Sequence, residues 1–274
     1  GSAESVPAIT RQQLQNFHRT YYNANNAQIA LVGDLTLAQA KAISETVSAR
    51  LPQGSAAAVT AAPVKSAASN THIELPSTQT HILLAQLSVK RGDPDYPALF
   101  LGNQILGGGG FGTRLMEEVR EKRGLTYGIY SSLSPMQATG PFMINVQTRA
   151  QLSEATLQLV QDLLRDYVTN GPTEAELADA KRESLGSFPL SAASNSAIVG
   201  QLAAIGFYDM PLTWMSDFMQ DIQKLSVADV YQSFQWLHNP AQLMIVTAGP
   251  TVEQLPLPEA VERSSDTPAV ERQH

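Results

Sequence analysis

The sequence predicts an α+β fold, on three observations. Pro141–Thr148 alternates, with Phe142, Ile144 and Val146 on one side, which is the period of a strand buried on one face. Short strand-like runs gather before this point. From Ser153 to Leu237 the apolar spacing turns helical and is broken by caps and turns. Strands gathered between Thr71 and Thr148 and helices dominating from Ser153 belong to an α+β chain.

Each element has its own warrant. Thr10 can cap a helix running to about Tyr22, with Leu14, Phe17 and Tyr21 on one face. Asn23 to Asn26 reads as a turn. Ala27–Val32 reads as a short apolar strand ended by Gly33-Asp34, and a second helix as running from Leu37 to Leu51. Residues 53–70 are rich in Ala, Ser, Pro and Gly with little periodicity, the composition of a linker. Strands are expected at Thr71–Leu75 and His81–Lys90. A Gly92-Asp93-Pro94 turn then leads into a buried helix from Tyr96 to Leu106. After a glycine run comes a short amphipathic helix, Thr113 to about Lys122. Gly124 stops it, and a strand is expected from Thr126 to Leu133. The remaining helices are Ser153–Thr169, Thr173–Phe188 with the capping box Thr173-Glu-Ala-Glu176, Asn195–Tyr208, Thr213–Gln223 and Ser226–Leu237. Ala241–Ala248 is a last strand, and residues 251–274, rich in Pro, Glu and Ser, are expected to fray.

Composition excludes several functions. With 274 residues and 43% hydrophobic side chains a substantial core is available. A formal charge of -7 leaves no basic stripe for phosphates, so nucleic acid is not an expected partner. Cysteine is absent, which removes disulfides, thiol nucleophiles and Cys-ligated metal. No apolar run approaches a membrane span. No signal peptide is visible, and Gly1-Ser2 reads as an expression scar.

The stretch from Leu106 to Tyr127 carries the chemistry. Gly107, Gly108, Gly109 and Gly110 run together, followed by Gly112. The predicted helix and strand place Arg120 and Tyr127 across a tight turn, so a guanidinium and a phenol face one space. Both donate hydrogen bonds, as a substrate carbonyl requires. The glycine run lacks the G-x-x-x-x-G-K-[ST] pattern of a phosphate loop. Taken singly, Arg120 would be a surface arginine on a charged helix, where Glu118 and Lys122 form an ordinary i, i+4 pair. Tyr127 alone would be a half-buried strand tyrosine. Arg114 reads as a tie from helix to neighbouring backbone. His18 and His238 read as helix-closing residues, His72 and His81 as flanking a turn, and Trp214 and Trp236 as core. Glu174, Glu176, Asp179 and Glu183 look like a solvated helix face.

An imperfect repeat bears on organisation. Thr10–Asp34 and Ser226–Pro250 share a hydroxyl cap, a helix containing Phe17 or Phe234, an Asn-containing turn, Ala-Gln, an apolar strand and a glycine. The natural reading is two related halves: residues 1–52 end a preceding domain, and residues 71–250 form a nearly complete one. The chain is then a C-terminal fragment of a longer protein.

These residues resemble the M16 (pitrilysin-like, inverted zincin) metallopeptidases, in the bacterial branch related to the mitochondrial processing peptidase. The most specific piece is Gly107–Tyr127, with Arg120 and Tyr127 at the spacing of the family's arginine–tyrosine pair. Arg91-Gly-Asp-Pro-Asp-Tyr96, Thr113-Arg-Leu115, Phe207-Tyr-Asp-Met-Pro-Leu212 and Val32-Gly-Asp34 add to it. The resemblance implies a two-layer fold, a mixed or antiparallel sheet with helices on one face, and two halves closing like a clam shell. It implies that Arg120 and Tyr127 bind the scissile carbonyl of a peptide substrate, with Gly107–Gly110 allowing close backbone approach. An edge strand nearby could take the peptide by strand addition. An export location, the bacterial periplasm, is implied as well.

One departure is decisive for chemistry. The family's H-x-x-E-H is absent, and none of the five histidines stands at i, i+4 from another. No metal is expected in this chain. Zinc is expected in the complementary half or in a partner subunit, as a homo- or heterodimer. The alternatives are a non-catalytic assembly subunit, as in the core subunits of respiratory complexes that share this fold, and a free-standing peptide-binding module.

Overall fold

The computed structural model describes residues 1–56, 58, 68–238 and 243–261, without the side chain of His238. Its α-helices in chain order are α1 Arg11–Tyr21, α2 Leu37–Ser48, α3 Tyr96–Asn103, α4 Ser153–Asn170, α5 Glu174–Ser187, α6 Asn195–Phe207, α7 Trp214–Lys224 and α8 Val227–Ser233. The strands are β1 Ser69–Glu74, β2 Gln79–Leu87, β3 Ile129–Leu133, β4 Pro141–Arg149 and β5 Met244–Gly249. The chain divides into two compact units, Gly1–Ala61 with Gly186–Asp217, and Ala62–Leu185 with Phe218–His274.

The second unit holds the sheet, ordered β1-β5-β2-β4-β3. β1 and β5 run parallel, and the other pairs are antiparallel. Period-two alternation decides the faces. Ile82 and Leu84 of β2, Phe142, Ile144 and Val146 of β4, Ile129 of β3 and Ile245 of β5 are all buried. They join one core cluster with Leu99 and Leu101 of α3, Val160 and Leu164 of α4 and Val230 of α8. Burying each such side chain contributes about 1.5–3 kcal/mol. The opposite face stays open, with His81, Asn145 and Gln147 exposed on it. The architecture is therefore the expected mixed sheet with helices on one face.

Helix α4 shows why this side closes tightly. Thr156, Val160, Leu164 and Tyr167 follow helical spacing and are all buried. The Tyr167 hydroxyl donates to the Gly102 carbonyl at 2.9 Å, and its ring meets Phe234 edge-on at 5.3 Å. Trp236 adds another edge contact, 6.2 Å from Phe142.

In the first unit, Thr10 and Gln13 form a capping box on α1. Asn23 is 1% exposed, and its amide donates to the carbonyls of Thr20 and Ser55. The expected turn at 23–26 is a single 3-10 turn, Ala24–Asn26. The strand expected at Ala27–Val32 is not formed: it finds no pairing partner among the described residues. A strand exists by its ladder, and apolar composition cannot supply one. Its counterpart in the repeat, β5, lies between β1 and β2.

Other boundaries also differ from expectation. β1 begins at Ser69 and β2 at Gln79. His72 and His81 lie within these strands rather than beside a turn. The helix after Tyr96 continues as a wide π-turn over Gln104–Gly108, so it absorbs the first glycines. Most of the linker expected at 53–70, and residues 262–274, lie outside the described residues. Residues 251–261, within the stretch expected to fray, are pinned by hydrogen bonds. The Thr251 N–H and hydroxyl donate to the Glu74 carboxylate. The Gln254 side chain accepts from the Glu154 N–H and donates to the Ala150 carbonyl. The Val261 N–H donates to the Lys122 carbonyl at 2.8 Å.

Candidate functional site

The glycine run is mainly a packing device. Gly107 is buried, and a Cβ there would lie 2.7 Å from Ser131 Oγ and 2.8 Å from Leu115 Cδ1. Cβ atoms on Gly108 and Gly109 would strike Asn103 and the Gln104 carbonyl, the preceding turn of the same helix. Gly110 takes φ +89°, which glycine adopts readily and other residues do not. Thr113 then caps the next helical segment, residues 114–121, its hydroxyl accepting the Met116 N–H at 3.4 Å while it donates to the Gly110 carbonyl at 3.0 Å.

This segment, the Arg120 helix, is held from both sides. Arg114 grips Glu176 with two bonds, 2.5 Å and 2.8 Å, and donates to the Gly171 carbonyl at 2.9 Å. Its guanidinium also lies 5.0 Å from the Tyr167 ring centroid. Glu176, expected on a solvated face, is therefore half-buried in an ion pair while it also completes the Thr173 capping box. Burial pushes its carboxyl up, but the bonds from Arg114 and Thr173 outweigh this and hold it at about 2. Lower on the same segment, Glu118 takes both Lys122 and Arg123, each at 2.6 Å.

Met116–Glu121 is itself a π-turn, closed by the Lys122 N–H on the Glu117 carbonyl. Gly124, at φ +60°, ends the helix as the left-handed cap, its N–H donating to the Arg120 carbonyl at 2.9 Å. Leu125 drops into the core, and its carbonyl accepts the buried Thr148 hydroxyl at 2.7 Å. Thr126 bonds both the carbonyl and the N–H of Gly128, bracing the bend that carries Tyr127. Tyr127 was expected at the start of a strand; it stands on this bend, before β3 begins at Ile129.

Arg120 and Tyr127 line one cavity of about 550 Å³, together with Gln79, Gln147, Arg149 and the turn at 124–126. Tyr127 is 92% exposed, and among the described residues its hydroxyl has no hydrogen-bond partner. Arg120 lies 3.3 Å from Glu121 and 4.8 Å from the centroid of Phe111, an exposed aromatic in the glycine loop. Gly107–Gly110 are not among the cavity's lining residues. Phe111, Gln79, Gln147 and Arg149 are residues that sequence reasoning missed. The alternation of β4 was the available signal for Gln147 and Arg149. A second hollow of about 320 Å³ on the open sheet face includes His81, Tyr130 and Asn145 and meets the first at Gln147.

Zinc does not fit the described side chains. Among the described residues no group of three His, Cys, Asp or Glu is placed to hold a metal ion, and a catalytic zinc needs three protein ligands. Among the described residues no single helix is long and apolar enough to cross a membrane.

The family model described as the peptidase M16 inactive domain matches residues 8–184. An uncharacterized zinc protease of Mycobacterium tuberculosis is 30% identical over 206 residues, covering 74% of this chain and 47% of that protein. A Helicobacter pylori protein named a non-peptidase homolog is 26% identical over 231 residues, 84% of this chain and 53% of its own. The chain thus spans about half the length of the curated relatives it matches. A crystal structure of a peptidase M16 inactive domain from Pseudomonas fluorescens superposes with a TM-score of 0.89 at 57% identity, over 94% of this chain and 61% of that one. With a family match over more than half its residues and the fold to go with it, the chain belongs to the peptidase M16 family, as its inactive C-terminal domain.

Proposed function

We propose that this chain is the substrate-gripping half of an M16 zinc peptidase, or a metal-free subunit doing the same work, in which Arg120 and Tyr127 hold the scissile carbonyl. The observation that carries the proposal is their convergence on one open cavity, with the Tyr127 phenol unengaged by the fold. The phenol donates to the carbonyl oxygen. The guanidinium, a permanent cation, offsets the negative charge that grows there during hydrolysis. Both are fixed beforehand, Arg120 by its gripped helix and Tyr127 by its braced bend, so little reorganisation is needed. Zinc would come from the complementary half or a partner chain.

Backbone geometry supports a peptide ligand. β3 is an edge of the sheet, and an edge strand can accept a guest strand. Asn103 donates to the Ser131 carbonyl at 3.4 Å and Gly107 packs against the Ser131 nitrogen, so the middle of β3 is covered and a guest strand would have to pair at its start, beside Tyr127. The Arg120→Ala and Tyr127→Phe variants of the full-length, metal-bearing assembly should lose about tenfold to a thousandfold in kcat/KM. Undiminished turnover in well-folded variants would remove the carbonyl-binding role.

A second reading, an assembly subunit without catalytic duty, is favoured by one observation: the Helicobacter pylori relative is named a non-peptidase homolog. It expects the same two variants to leave the assembly's activity unchanged.

A further inference from the structure

The cavity that holds Arg120 and Tyr127 carries a second guanidinium with no assigned work. Arg149 ends β4, directly across from Gln79 of β2. Alternation along β4 puts Asn145, Gln147 and Arg149 together on the open face, all exposed. Arg149 lines the same cavity as Arg120 and Tyr127.

The cavity's charge is unusual for this protein. The chain carries a formal charge of -7, yet the lining includes Arg120 and Arg149 and no carboxylate. Elsewhere in the sheet-bearing unit Arg114, Arg123, Arg165 and Arg182 each meet an Asp or Glu within salt-bridge distance. Among the described residues Arg149 meets none. A neighbouring donor adds to it. Gln147 donates its amide to the Gln79 side-chain oxygen, which leaves the Gln79 amide nitrogen available beside Arg149. A forked guanidinium next to an amide donor, with no competing acid, is the donor set that a carboxylate fits.

We propose that Arg149, backed by Gln79, is a specificity residue of the peptide site and binds a carboxylate carried by the substrate. Two sources share that chemistry: an Asp or Glu side chain near the scissile bond, and the peptide's own C-terminus. The proposal rests on the reading above, that Arg120 and Tyr127 hold the peptide's carbonyl in this cavity. It goes beyond that reading in naming what the peptide must bring.

The test uses the full-length protein and a matched peptide set: a glutamate peptide, its glutamine isostere, and each with a free or an amidated C-terminus. Equilibrium binding and turnover are both measured, for the wild type, Arg149→Gln and Arg120→Ala. The wild type should bind the carboxylate-bearing peptides about tenfold more tightly than their neutral counterparts, and Arg149→Gln should erase that difference. Discrimination between Glu and Gln identifies a side-chain carboxylate; discrimination between free and amidated ends identifies the terminus. A wild type with no preference, or a preference that survives in Arg149→Gln, overturns the proposal. Arg120→Ala keeps the two readings apart, since it should slow turnover of every peptide alike while the charge preference persists. If Arg120→Ala does not slow turnover, the carbonyl-binding reading fails instead, whatever Arg149 does.

Discussion

Replacing Arg114 with methionine tests the support of the whole site. The Arg114 side chain is 21% exposed and the Glu176 side chain 29%. The change removes two charge-assisted bonds to Glu176, one to the Gly171 carbonyl, and a contact with the Tyr167 ring. Deleting one partner of a fully buried pair costs about 3–5 kcal/mol. With both partners partly wetted, about 2–3 kcal/mol is expected, or a fall in Tm of about 4–12 °C for a domain of this size. Urea unfolding followed by tryptophan fluorescence measures it. A cycle with Glu176→Gln should show coupling of about 1.5 kcal/mol.

The acid limb gives an independent reading. The Glu176 carboxyl sits at about 2 when folded, against 4.5 as its ordinary value. A depressed carboxyl contributes stability that is fully present above the unfolded value and is lost as pH falls toward 2. With screening allowed for, about 1–2 kcal/mol of stability should disappear across that window. In Arg114→Met the burial that pushes Glu176 up loses its main opponent, so this acid-dependent portion should shrink. A coupling energy under about 0.5 kcal/mol, or acid limbs that run parallel in variant and wild type, would show that the pair does not hold the Arg120 helix.

Two smaller perturbations separate packing from open space. Gly107→Ala should cost about 1–3 kcal/mol in urea melts, because its Cβ would press on Ser131 and Leu115, while Gly112→Ala, with nothing within 4 Å, should change stability by less than about 0.5 kcal/mol. Thr148→Val should cost about 1–3 kcal/mol by orphaning the buried Leu125 carbonyl. Amide exchange across residues 125–128 should speed up in that variant, and unchanged exchange would mean that the turn is held by other contacts.

What the sequence disclosed follows how local each signal is. The hydroxyl caps at Thr10 and Ser226, the capping box at Thr173, the alternation of β4 and the stop at Gly124 are written within a few residues, and all are present in the structure. The convergence of Arg120 and Tyr127 was legible because a short helix and one turn join them. Distant partners were not. Glu176 read as solvated because Arg114, its partner, lies on another element. The segment 251–261 read as frayed because its bonds go to Glu74, Ala150 and Lys122, which composition cannot reveal. The alternation of β4 could have put Arg149 on the open face, but only the register of β2 on β4 set it beside Gln79.

The paired π-turns have a consequence for how this site is spelled in sequence. Each turn holds one residue more than an α-turn would, at Gln104–Gly108 and again at Met116–Glu121. Taking one residue out of the second would restore ordinary helical phase. With the residue taken out between Met116 and Val119, everything after it would rotate by about 100°, and Arg120 would swing off the side of the helix that looks into the cavity. The aim of the guanidinium is thus a matter of counting. The surplus residue sets its direction as firmly as any bond the side chain makes, and a chain that kept every residue type but lost that surplus would keep the motif and lose its bearing.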